Sequence, residues 1–145
     1  MKVIHLISGG DVGGAKTHVL SLLQGLCQEH QVLLVCFIEG PFAQEAREMG
    51  IPTQVLSGWN IPRVMRCLEA VIQQQQFQLI HCHGSRANLM GYLLKRRLHV
   101  PVITTVHSLS LIHILLGTLT MTRGLNNPWR EAFRKNWANI RWVIS

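Results

Sequence analysis

Lys2-Val3-Ile4-His5-Leu6-Ile7-Ser8 runs into Gly9-Gly10-Asp11-Val12-Gly13-Gly14-Ala15-Lys16-Thr17-His18, after which Val19, Leu20, Leu22, Leu23 and Leu26 recur at helical spacing. An apolar run of strand length that meets glycines and then a helical apolar stripe is the opening of a βαβ unit. The pattern predicts a strand over 3–8 and a helix over 15–29. Glycines let a backbone approach a ligand closely, and the helix N-terminus behind them offers unpaired N–H groups and a partial positive charge. A phosphate or diphosphate is the natural guest. The alternative is a tight turn that only lets the helix pack closely on the sheet.

Working outward, the same alternation recurs. Residues 32–38 form a near-continuous apolar run, of the kind expected when helices cover both faces of a sheet. Gly40-Pro41 breaks it, and a short helix over 42–49 and a strand over 53–56 follow. A helix over 61–76 should bury Val64, Met65, Leu68 and Ile72, with Pro62 tolerated in its first turn and the glutamines 73–76 as its polar end. A strand over 77–82, a helix over 87–97 burying Leu89, Met90, Leu93 and Leu94, and a strand over 100–106 opened by Pro101 complete the pattern. The fold class is α/β, a Rossmann-like parallel sheet flanked by helices, with right-handed crossovers. Residues 128–138 read as a basic helix and 140–145 as a strand cut off at the last residue, so the chain reads as truncated.

At 145 residues there is room for one domain and one core. The net charge of +7 is unevenly placed: residues 1–85 hold five Lys/Arg and six acids, whereas 86–145 hold nine Lys/Arg and only Glu131. Such a field attracts nucleic acid, anionic lipid or a phosphorylated small molecule. No aromatic-interleaved basic motif or zinc-finger spacing favours nucleic acid, so none is expected as a partner. Residues 101–122 contain no Asp, Glu, Lys or Arg, but Pro101, two histidines and several Thr and Ser argue against a membrane span. The N-terminal apolar run is too short and wrongly flanked for a signal peptide, so the chain is expected to stay in the cytoplasm. Cys27, Cys36, Cys67 and Cys82 form no CxxC pair and read as reduced, mostly buried thiols.

Specific nucleotide motifs fail. Counting from Gly9, the third position of a GxGxxG fingerprint would need a glycine at residue 11, where Asp11 stands. Gly9 and Gly14 have Walker A spacing, but Ala15 intervenes before Lys16-Thr17 and turns the lysine about 100° around a helix. His18, in the first turn of the helix, either faces a ligand or packs. Two further polar clusters stand at strand ends. In Ile80-His81-Cys82-His83-Gly84-Ser85-Arg86, alternation puts His81 and His83 on one side. Two histidines and a third ligand make a zinc site, but no HExxH, carboxylate or cysteine at a suitable spacing joins them, so no metal is expected. His83, Gly84, Ser85 and Arg86 read instead as the lining of a pocket at the carboxyl end of a strand. In Thr104-Thr105-Val106-His107-Ser108, His107 is a candidate general base or hydrogen-bond donor, or a loop histidine without consequence. No carboxylate pair or G-x-S-x-G elbow suggests hydrolysis.

Together, the opening through Val19, Leu79-Ile80-His81-Cys82-His83-Gly84 and Ile103-Thr104-Thr105-Val106-His107-Ser108 resemble the N-terminal domain of family 4 retaining glycosyltransferases, in order over about 1–108. The resemblance implies the N-terminal, acceptor-side half of a GT-B fold, two Rossmann-like domains facing across a cleft. It implies transfer of a sugar, of the hexosyltransferase type, from a nucleotide-sugar donor to a glycan or lipid-linked acceptor with retention, usually with no essential metal or other cofactor. By resemblance Gly13 and Gly14, with Lys16, lie near the donor diphosphate, His107 close to the transferred sugar, and His18, His83 and Arg86 on the cleft wall. The C-terminal donor half with its paired-glutamate segment is absent, so the fragment is expected to be inactive alone. The basic second half would touch anionic membrane from the cytoplasmic side. Residues 109–114, Leu-Ser-Leu-Ile-His-Ile, coincide with one reading frame of a transposase end sequence used in DNA library preparation, and the tail beyond them resembles the family only loosely. Without a partner domain, the same loop would make a single-domain binder of a phosphorylated ligand.

Overall fold

A strand can be apolar at every position only if both its faces are covered, and β1 (Lys2–Ile7) meets that condition: Val3 to Ile7 are all buried. The computed structural model describes residues 1–9, 14–58 and 60–105. After β1 come α1 (Gly14–Leu26), β2 (Gln31–Cys36), α2 (Pro41–Glu48), β3 (Thr53–Val55), α3 (Ile61–Gln75), β4 (Leu79–His83), α4 (Ser85–Leu98) and β5 (Val102–Thr105). All pairings are parallel, in the order β3-β2-β1-β4-β5. The elements expected up to residue 106 are present, each within a few residues of its predicted bounds.

Alternation divides the core between the two faces. Ile4 and Leu6 of β1, with Ile80 and Cys82 of β4, pack against Val64, Met65, Leu68 and Ile72 of α3 and Ala87, Met90 and Leu94 of α4. Ile7, with Leu34 and Cys36 of β2, packs against Val19, Leu20 and Leu23 of α1 and Phe42, Ala43 and Ala46 of α2. Helix ends follow local chemistry. Asn60 caps α3 by accepting a hydrogen bond from the Arg63 amide at 3.1 Å, Pro62 sits in the first turn, and Gln76 closes the helix in the left-handed region at φ 57°. The exposed glutamines are thus its polar end. Lys95, Arg96 and Arg97 fill the last turn of α4, where cations complement the helix dipole.

The inward face of α4 departs from expectation. Met90 and Leu94 are buried and Leu93 half-buried, but Leu89 is 41% exposed. The helix meets the sheet through its smallest residues, Ala87 and Gly91, which centres the buried stripe one residue past Leu89. A Cβ at Gly91 would collide with the Cys82 Sγ and come within 3.1 Å of Val102 Cγ1. Among the described residues no helix is long and apolar enough to cross a membrane, and none of the four cysteines is in a disulfide. Cys36 and Cys82 are buried, whereas Cys27 and Cys67 are half-buried. From 106 onward the charge-free stretch, the basic helix and the last strand lie outside the described residues.

Gly91→Ala should therefore lower stability by about 1–3 kcal/mol through overpacking. Gly25→Ala, in α1 with open space around its Cβ, should raise it by up to about 1 kcal/mol. Urea midpoints for the two variants should move in opposite directions; a Gly91→Ala chain as stable as the parent would show slack between α4 and the sheet.

Candidate functional site

The strand order places a topological switch between β1 and β4. The chain leaves β1 toward β2 and β3 on one side and returns to β4 on the other, the arrangement whose carboxyl end forms the ligand crevice of open α/β sheets. Both glycine-bearing strand ends named above open there. Gly9 has a φ of 87°, and a Cβ on it would come 2.7 Å from the Ile38 carbonyl oxygen. Glycine is thus required both by conformation and by the close approach of this turn to the end of β2. Gly13 lies outside the described residues, and Gly14 is the first residue of α1. The Lys16 ammonium pairs with Glu45 of α2, tying the first turn of α1 to its neighbour. His18 is exposed on α1.

On the other side of the crevice, Arg86 reaches out of the first turn of α4. Its Nη2 donates to the Gly58 carbonyl at 2.6 Å, and its guanidinium lies 5.1 Å from the centre of the Phe37 ring. One side chain thus joins α4 to the segments that follow β2 and β3. His107 lies outside the described residues.

Beneath this rim the structure assembles something that spacing alone did not reveal. His81 and His83 share a face of β4 as expected, and the β1–β4 register sets His5 opposite His81 and Ile7 opposite His83. The three imidazoles meet, with ring centres 4.2 Å apart for His81 and His83, 4.8 Å for His5 and His81, and 5.5 Å for His5 and His83. His5 Nδ1 and His83 Nε2 are 3.2 Å apart, and His81 Nε2 is 2.7 Å from the Thr105 hydroxyl of β5. His5 is fully buried and His83 is 1% exposed, so the His83 ring meets His5 rather than solvent. Burial, reinforced by His81, pushes His5 down to about 3, which leaves it a neutral imidazole at neutral pH. On the opposite face of β4, burial raises the Cys82 thiol to about 12, and Cys36 is raised likewise, so neither is a ready nucleophile. The missed residue was His5. Its signal was the switch itself, because a strand order with β1 beside β4 aligns the odd positions of the two strands.

The family model described as Glycosyltransferase Family 4 matches residues 12–144. No curated protein sequence matches the chain. Among solved structures, Anabaena HepE in complex with UDP-glucose is similar at a TM-score of 0.66 and 20% identity, over 78% of this chain and 31% of that one. Acinetobacter baumannii MurG is similar at 0.66 and 17%, over 81% and 39%. A glycosyltransferase from Rickettsia africae is similar at 0.64 and 13%, over 91% and 33%. The chain spans about a third of the length of these structures, and identities this low show a shared fold.

The Arg86 clamp gives a direct test of the site's frame. Arg86→Ala should cost about 1 kcal/mol, and Arg86→Lys should recover part of it through the Phe37 ring. Identical urea midpoints for all three chains would show that the guanidinium holds nothing together.

Proposed function

Because the chain belongs to glycosyltransferase family 4, we propose that it forms the N-terminal, acceptor-side half of a two-domain enzyme that moves a sugar from a nucleotide-sugar donor onto a glycan or lipid-linked acceptor with retention. The observation that supports this reading is the switch between β1 and β4, which brings Gly9 at the end of β1 and the first turns of α1 and α4 to the carboxyl edge of the sheet. A helix N-terminus preceded by glycines stabilises a diphosphate through backbone N–H groups that need no reorganisation as charge develops on the leaving group. Gly13 and Gly14 serve that end of the donor. Lys16 serves it through the ion pair that anchors the first turn of α1.

His107 acts beside the transferred sugar, and Arg86 and His18 line the acceptor side, with His83 supporting the wall from within. Their contribution is positioning, which converts an encounter between acceptor and donor into a step within one complex. The donor half supplies most of the nucleotide-sugar contacts, so the chain by itself is inactive. The reaction belongs in the cytoplasm at the inner face of the membrane, where the basic second half of the chain meets anionic lipid.

The test begins with the source DNA across codon 109 and past codon 145, where a donor half with a paired-glutamate segment should follow. The joined protein should form a product whose anomeric configuration, read by proton NMR, equals that of the donor. There His107→Ala should lower kcat by about 100-fold while changing the acceptor KM less. Unchanged kcat would remove His107 from the reaction. In calorimetry the 145-residue chain should bind UDP only feebly. Micromolar binding of a phosphorylated ligand by this chain, with no transfer by the joined protein, would make it a non-catalytic binder instead.

A further inference from the structure

The geometry points to a zinc site formed by His5, His81 and His83, which would tie β1 to β4 beneath the crevice; it is independent of the glycosyltransferase reading. Each imidazole offers one ligand nitrogen, and the three lie within 4.8 Å of one another. Zinc held tetrahedrally at about 2.0–2.1 Å from its nitrogens sets neighbouring ligands about 3.3 Å apart. The His5–His83 separation of 3.2 Å already matches one edge of such a site. Closing the remaining edges takes side-chain adjustments of an ångström or so, and the terminal torsion of histidine is broad.

Two further observations favour a cation over simple packing. His5 is fully buried, so no solvent competes for the nitrogen it turns toward His83. The Thr105 hydroxyl on His81 fixes that ring's orientation in the way outer partners orient metal-bound imidazoles. The donor set also selects the ion. Neutral imidazole suits zinc, whereas calcium and magnesium require oxygen ligands. Three protein ligands leave a fourth position for water.

The chain, stripped of metal with a chelator, should take up one equivalent of Zn2+ in competition with a chromophoric chelator, and its thermal midpoint should rise by several degrees on loading. His81→Gln, at a half-buried position, should weaken binding at least 100-fold with an unchanged far-ultraviolet circular dichroism spectrum. His30→Gln, at the opposite end of the sheet, should leave it unchanged. The unmutated chain gives a second reading that no folding defect obscures: Co2+ should show the intense visible bands of a four-coordinate nitrogen site. Absence of saturable zinc binding, retention of full affinity in His81→Gln, or the weak bands of six-coordinate Co2+ would each overturn the proposal.

Discussion

The parallel pairing of β1 with β4 is the constraint on which everything else in this molecule depends. It joins strands more than seventy residues apart in sequence, Val3 facing Leu79 and Ile7 facing His83. The two earlier crossovers carry β2 and β3 to the far side of β1. Once formed, it opens the crevice, aligns the three histidines and sets the glycine exit of β1 against the helix start of α4. No local propensity could produce that juxtaposition, because its partners meet only through the sheet.

The two faces of that sheet are chemically unequal. One is a continuous apolar surface from Phe77 through Ile80 and Cys82 to Leu94. The other carries Ile7 and Leu34 beside a polar trio of which His5 and His83 are buried and His81 half-buried. Burying imidazoles is unfavourable unless their nitrogens find partners, and two close contacts, His5 with His83 and His81 with Thr105, meet part of that demand. The result is a polar patch at the point where the chain reverses its direction of winding.

Much of this was legible in the residues. The apolar runs of β1 and β2, the break at Gly40-Pro41, the place of Pro62 in a first helical turn, and the inward stripe of α3 are local signals that agree with the final packing. What escaped was whatever depended on neighbours. Leu89 matches the helical period as well as Met90 does, and only the approach of α4 through Gly91 decides which of them faces the sheet. His5 read as one more strand residue until a second strand came beside it. The motifs together pointed to the family, and the match of the family model over 12–144 bears that out. Gly13 and His107 lie outside the described residues, so their roles rest on motif alone.

The far edge of the sheet has a consequence of its own. β3 is only three residues long, follows Pro52, and its Thr53 hydroxyl donates to the Ile51 carbonyl at 2.8 Å. A strand this short offers too few backbone groups to template another chain, and the Thr53 hydroxyl already occupies the Ile51 carbonyl beside it. The sheet is thereby closed to lateral growth on that side, and a crowded cell would find no purchase there for strand-to-strand association between copies.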